Sequence, residues 1–206
     1  MWSKLNSAYH YLFAFAANIL YGAPSKKLFV IGVTGTKGKS TTAELINALL
    51  EAAGKKTALC SSIRFKIAGE TEKNTTGMTM PGRFFLQHFL RRAVRAGCEY
   101  AIVEVTSQGI LQHRHRFIDW NAALVTNIRP EHIEAHGSFE NYRNSKIGFF
   151  RYVAEHSRKG KKFFFINEGD QSHHYFQDAA SGAGEVVYFS REHFIEHVLD
   201  RGRESI

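Results

Sequence analysis

The chain has 206 residues, of which 44% are hydrophobic and 22% charged, enough for one sizeable domain with a real core and unlike the composition of a disordered chain. A net charge of +8 and a pI near 9.5 favour an anionic partner, and on charge alone nucleotide phosphates, nucleic acid and a membrane surface all stay open. Two cysteines, Cys60 and Cys98, have neither pairing nor metal spacing, which argues against a disulfide framework and for a reducing, cytoplasmic compartment.

The first stretch, Ala8 to Tyr21, is apolar and aromatic, but His10 and Asn18 interrupt it and it is too short to span a bilayer. It reads as an amphipathic helix packed on the domain, with membrane-surface attachment as the less favoured alternative and no stable insertion. Pro24-Ser25 ends it, so residues 1–25 form a helix and linker ahead of a domain over 26–206. A strand over Lys27–Val33 then runs into Gly35-Thr36-Lys37-Gly38-Lys39-Ser40-Thr41 and a helical pattern over Ser40–Ala53. Glycines at 35 and 38 let the backbone turn with its N–H groups inward, and the following helix adds its positive end, which is the chemistry of a phosphate cradle. Lys39 suits the terminal phosphates and the Ser40 hydroxyl suits Mg2+. The match is to G-T-K-G-K-S-T alone, because Val33 stands where the first glycine of the full P-loop pattern would fall.

The helix carries Leu45, Ile46, Leu49 and Leu50 at helical spacing and stops at Gly54. Thr57–Ser61 reads as a short strand, and Phe65 to Asn74 as a hairpin or mobile loop leading into Thr75 to Gly82. Phe84–Ala96 is helical; its Arg91, Arg92 and Arg95 form a solvated basic face with no interleaved aromatics, so no nucleic-acid partner is expected. Tyr100–Val105 is a continuous apolar run, the pattern of a buried parallel strand, and it carries Glu104 to its carboxyl end. In open α/β sheets ligands bind at that end, and a carboxylate there calls for a cationic partner such as Mg2+.

Ala122–Ile128 repeats the device, delivering Thr126 and Asn127 to the same edge ahead of Glu131 to Gly137. His132 and His136, four residues apart, could be a zinc pair on a helix, although ordinary surface or capping histidines are the favoured reading. A helix over Phe139–His156 sets Lys146 one turn beyond Tyr142; Lys162–Ile166, Ser172–Ala180, Val186–Phe189 and Glu192–Leu199 then alternate strand and helix. The alternation predicts an α/β fold with a mostly parallel, doubly wound sheet. No Ser/His/Asp or Cys/His arrangement suggests a protein nucleophile.

Five ordered segments, G-V-T-G-T-K-G-K-S-T-T at 32–42, V-E-V-T-S-Q-G at 103–109, Q-H-R at 112–114, T-N-I-R-P-E-H-I-E-A-H-G at 126–137 and Y-R-N-S-K at 142–146, together resemble the central domain of the Mur ligases. These are ATP-dependent enzymes that add amino acids to the muramyl peptide precursor of peptidoglycan. The likeness is strongest to the members that add the third residue to UDP-N-acetylmuramoyl-L-alanyl-D-glutamate. The resemblance implies that residues Gly35 to Thr41 hold the ATP phosphates, with Lys39 on the γ-phosphate and Asn127 on the nucleotide side. It implies two Mg2+ sites, one on Ser40 and Glu104 and a second served by His132. Lys146 matches a lysine that becomes carbamylated in this family, which turns a cation into an anionic ligand. Thr106, Gln112 and Arg114 match positions that hold the muramyl-dipeptide substrate; of the loop threonines, Thr79 is preferred to Thr75 or Thr76 because it lies at the better distance before the helix and Glu104. Gln108 stands where relatives often carry histidine, and Glu131 replaces an aspartate.

A UDP-N-acetylmuramoyl-peptide and an amino acid are then the implied substrates, and a monomer is expected. The family also has a UDP-binding domain and a C-terminal domain that closes over ATP. With some thirty residues before the cradle and an end at Ile206, the expectation is a fragment or a reduced relative that binds Mg-ATP weakly and does not complete ligation alone. Two other readings are kept. A folylpolyglutamate-synthase-like ligase shares the cradle and the lysine but is disfavoured by Gln112-His113-Arg114 following Thr106-Ser107; the other is a non-catalytic nucleotide-dependent binding module.

Overall fold

The computed structural model describes residues 2–131 and 136–190, the side chains of residues 2–6 excepted. Helix α1 (Trp2–Leu20) and a 3-10 turn (Pro24–Lys27) lead into β1 (Phe29–Thr34) and α2 (Lys39–Ala52). Then come β2 (Thr57–Cys60), β3 (Arg64–Ile67), β4 (Glu70–Lys73), α3 (Arg83–Arg95), β5 (Tyr100–Glu104) and the short α4 (Ser107–Leu111). The chain continues through β6 (Ala122–Val125), α5 (Phe139–His156), β7 (Phe163–Asn167), α6 (His173–Ala180) and β8 (Glu185–Phe189). The expected helix over Glu192–Leu199 and His132 lie outside the described residues.

The eight strands among the described residues form one sheet in the order β4-β3-β2-β5-β1-β6-β7-β8. The strands from β2 across to β8 are parallel, and β3 and β4 add an antiparallel hairpin at one edge. The segment 65–74 is thus the hairpin rather than a mobile loop, and every residue of its outer strand is exposed, with charged side chains that discourage edge-to-edge pairing. Strand residues alternate between two cores. Ile31, Val33, Leu59, Ile102 and Leu124 pack with Ala43 of α2 on one face; Val30, Ala58, Ala101, Val103 and Val125 pack on the other with residues of α3, α5 and α6. The doubly wound α/β expectation therefore holds, with α1 as an outer layer against α3.

Three local readings change. The first strand starts at Phe29 rather than Lys27, because Pro24 fixes a 3-10 turn in which the Leu28 N–H bonds to the Ser25 carbonyl. Strand β6 ends at Val125 rather than Ile128, because Thr126 and Asn127 turn their side chains to the cradle. Leu45 and Leu49 are 59% and 70% exposed, although their spacing suits a buried stripe. The other pair, Ile46 and Leu50, packs on the sheet beside Ala43 and Asn47, whose side chain accepts a 2.7 Å bond from the Thr57 hydroxyl.

Gly32, in the middle of β1, shows how tightly the second face is packed. A Cβ there would overlap the Phe149 ring and come within 3.0 Å of Trp120. Those two rings are fully buried and stand edge to face at 5.0 Å, so neither can yield. Gly32→Ala is expected to cost about 1–3 kcal/mol in urea unfolding, by overpacking rather than by any backbone effect.

Candidate nucleotide site

Register places the site. Val33 pairs with Glu104 across β1 and β5, and Thr34 pairs with Val125 across β1 and β6. The loop after β1, the end of β5 and the residues after β6 therefore emerge side by side at the carboxyl edge of the sheet, where helix starts and strand ends leave room for a ligand. Gly35 and Gly38 take φ of +140° and +81°, backbone states that L side chains resist. Gly38 is the N-cap of α2 and offers no side-chain cap, so the first N–H groups of the helix stay available to an anion.

The cradle is held from the β6 side. The Thr36 N–H donates to the Asn127 carbonyl at 2.8 Å, and the Lys37 N–H to the Asn127 side-chain oxygen at 3.0 Å. Asn127 Nδ2 and Thr126 Oγ1 both donate to the Lys37 carbonyl, at 3.0 and 2.7 Å. Tyr142 of α5 donates to the Thr36 hydroxyl, which also bonds the Arg129 backbone. Lys37 forms an ion pair with Glu131 at 2.5 Å.

Two lysines meet on one carbonyl. Lys39 Nζ donates to the Gly35 and Thr36 carbonyls at 3.0 and 2.9 Å, and Lys146 Nζ, from α5, donates to the same Gly35 carbonyl at 2.7 Å. Lys146 is 2% exposed. Burial first, and the neighbouring Lys39 ammonium second, bring its pKa down to about 7. Burial also lowers Lys39, with Glu104 and Glu131 opposing the shift.

Glu104 is fully buried. Burial raises its pKa, opposed by the Ser62 N–H at 2.8 Å, the Ser40 hydroxyl at 3.1 Å and the Lys39 charge. The separation of Ser40 Oγ and Glu104 Oε2 is also what a hard divalent cation asks of two adjacent ligands, since oxygens about 2.1 Å from one ion lie about 3 Å apart. The donor set thus fits such an ion on chemistry and on spacing.

Beside the cradle lies a cavity of about 360 Å3 lined by residues that include Thr79, Met80, Thr106, Gln108, Arg114 and His136. Arg114 donates to the Met80 carbonyl, and its Nε and Nη2 rest on the Gln112 side-chain oxygen at 3.1 and 2.6 Å. Gln112 is therefore the residue that sets the arginine fork, and it is absent from the lining. Thr106 Oγ1 accepts the Gly109 N–H and caps α4, a helix the sequence reading missed because five residues carry no periodicity. Thr76 is engaged by Asn74 at 2.7 Å, whereas Thr79 faces the cavity. His136 bonds Ser107 at 3.0 Å and lines the same wall; its place was visible only as half of a histidine pair. Among the described residues no group of three or more His, Cys, Asp or Glu is gathered.

A glycine cradle after the central strand, a lysine on its rim and an acid buried at the next strand end define a P-loop type nucleotide-binding α/β domain. Residues 33–202 match the Mur ligase middle domain, and the chain belongs to that family. It is 35% identical over 181 residues to a UDP-N-acetylmuramyl-tripeptide synthetase of Roseiflexus sp. (strain RS-1), an alignment covering 84% of this chain and 36% of that protein. The chain thus spans about a third of the length of the curated relatives it matches. A solved UDP-N-acetylmuramoyl-L-alanyl-D-glutamate–2,6-diaminopimelate ligase superposes with a TM-score of 0.67 at 25% identity, covering 79% of this chain and 32% of that one. The Mycobacterium tuberculosis folylpolyglutamate synthase complexed with ADP and AMPPCP shares the fold, with a TM-score of 0.68 at 16% identity over 85% of this chain and 46% of its own.

Proposed function

We propose that this chain is the ATP-binding core of a carboxylate–amine ligase that forms an amide on a UDP-N-acetylmuramoyl-peptide. The observation that carries the reading is the meeting of Lys39 and Lys146 on the Gly35 carbonyl with the Ser40–Glu104 pair beside it. The names of the similar proteins support the substrate class. Gly35 to Thr41 and the α2 N-terminus hold the phosphates, Lys39 takes the γ-phosphate charge, and Asn127 fixes the loop. Ser40 and Glu104 would hold Mg2+, which would supply charge neutralisation at the phosphates and polarise the γ-phosphoryl group. Arg114, steadied by Gln112, orients the substrate carboxylate in the cavity formed with Thr79 and Thr106.

A carboxylate oxygen attacks the γ-phosphorus in line, the bond to the bridging oxygen breaks, and ADP leaves with the electron pair. An amine then attacks the acyl phosphate carbonyl, loses a proton, and expels phosphate to leave the amide. With a pKa of about 7, Lys146 is largely neutral in mildly alkaline solution, and a neutral amine adds to CO2 to give a carbamate and a proton. That carbamate would supply an anionic ligand to a second Mg2+, for which the family resemblance also implies His132.

Calorimetric titration tests the reading. The chain is expected to bind ATP in the presence of Mg2+; Glu104→Gln should weaken Mg-ATP by about tenfold or more while leaving metal-free nucleotide binding unchanged. UDP-muramyl dipeptide should raise the melting temperature of the ATP-loaded chain, and a folate should not. A chain that ignores ATP, or that responds to the folate alone, overturns the proposal.

A further inference from the structure

Among the described side chains of α1 the two buried ones are small and the large aliphatic ones are exposed. Ala14 and Ala17 are 2% and 0% exposed, whereas Leu12, Ile19 and Leu20 are 61%, 61% and 68% exposed. Leu12 and Ile19 lie seven residues apart on the side of the helix opposite the buried alanines, where a helix on the surface of a globular domain carries polar residues. Phe13 and Phe15 extend the stripe sideways, edge-on to Phe84 and Phe117 at 6.0 and 5.3 Å. No helix among the described residues is long and apolar enough to cross a membrane.

Charge identifies the occupant. No acidic residue precedes Glu44 in the chain. One flank of α1 is cationic: Arg116 lies over the Tyr11 ring at 5.5 Å, and Lys26 and Arg158 share a cavity of about 250 Å3 with both of them. Lys27 follows in the same turn, and the single acid lining that cavity is Asp119. A second copy of the chain, related by a two-fold axis through this face, would set these cations against their own kind with no acid on α1 to pair them. An apolar, aromatic stripe beside a cationic rim is instead the pattern of a helix lying in a bilayer interface.

We propose that the outward face of α1 docks onto an anionic lipid bilayer surface, with Leu12, Ile19 and Leu20 at the boundary of headgroups and acyl chains and Lys26, Lys27 and Arg116 on the lipid phosphates. The inference stands apart from the ligase reading. Vesicle flotation with the full chain tests it. Vesicles containing phosphatidylglycerol should carry the protein upward at low salt and release it at high salt, and pure phosphatidylcholine vesicles should carry little. Leu12→Glu combined with Ile19→Glu should abolish flotation. Lys26→Glu and Lys27→Glu should each weaken it by about fivefold or more on anionic vesicles alone. All four positions are exposed or rim sites, so unchanged melting temperatures would separate lost docking from lost folding. Absence of flotation by the unaltered chain overturns the proposal, as does indifference of flotation to the two glutamates. So does a dimer in solution that the Leu12→Glu, Ile19→Glu pair converts to monomer without any change in flotation.

Discussion

Gly35→Ala should abolish ATP binding and lower stability by about 2–4 kcal/mol. Two costs fall together at this residue. Its φ of +140° is open to glycine and strained for alanine. The added Cβ would also overlap Thr126 Oγ1 and stand 3.1 Å from the Asn127 carbonyl oxygen. Thr126 cannot rotate away freely, because its hydroxyl donates to the Lys37 carbonyl at 2.7 Å and thereby fixes the shape of the cradle. Either the loop opens or the threonine breaks its bond, and both outcomes spread the N–H groups that would meet phosphate.

Gly38→Ala is the internal control. Gly38 also has positive φ, yet nothing lies within 4 Å of a Cβ there, so the backbone term of about 1 kcal/mol stands alone. Thermal and urea unfolding of the two variants should differ by the packing term. In a double-mutant cycle Thr126→Ala should recover about 1 kcal/mol or more of the Gly35→Ala loss. Equal losses at the two glycines, with no coupling to Thr126, would mean that the loop is not clamped from the β6 side.

That clamp marks the boundary between local and long-range information. The turn at 35–38 can be read from glycine spacing, and the depth of Glu104 from the apolar run ahead of it, because both follow from neighbours in the chain. The contact of Lys146 with Gly35 spans 111 positions and leaves no periodic trace in α5, so residue pattern alone gave no reason to choose that lysine. Its selection came from the likeness of whole motifs. The same limit explains α2, where four apolar positions could not say which pair would face the sheet until Asn47 met Thr57. In α1 apolar residues fall on every side of the helix between Tyr11 and Ala17, so the hydrophobic pattern could not distinguish the packed face from the free one. The packed face is the one that carries Ala14 and Ala17, whose small side chains suit a close approach to α3.

Lys146→Met should raise stability below pH 7 and remove any stabilisation by bicarbonate. An amine that is 2% exposed beside a second ammonium is costly when charged, and methionine fills similar volume without charge. The Gly35 carbonyl keeps its bond from Lys39, so no buried acceptor is orphaned. The sign with pH follows from proton counting. The folded-state pKa of about 7 lies below the ordinary lysine value of 10.5, so between these limits the unfolded chain binds more protons and stability rises with pH. Stability gained through the window is lost again as pH falls through 7. The slope approaches about 1.4 kcal/mol per pH unit, and the whole span is on the order of 5 kcal/mol.

In CO2-free buffer the gap between the variant and the unaltered protein should therefore be widest near pH 6 and close steadily towards pH 10. Added bicarbonate at pH 8 should stabilise only the protein that retains Lys146, because a carbamate formed in the folded state alone pulls the equilibrium towards it. Parallel pH profiles for the two proteins would show that Lys146 carries an ordinary charge, and a methionine variant weaker at pH 6 would show that the ammonium is held by more than burial allows. Either result removes the reactive amine from the site, and with it the means by which two cationic side chains on one carbonyl could be converted to one cation and one anionic ligand.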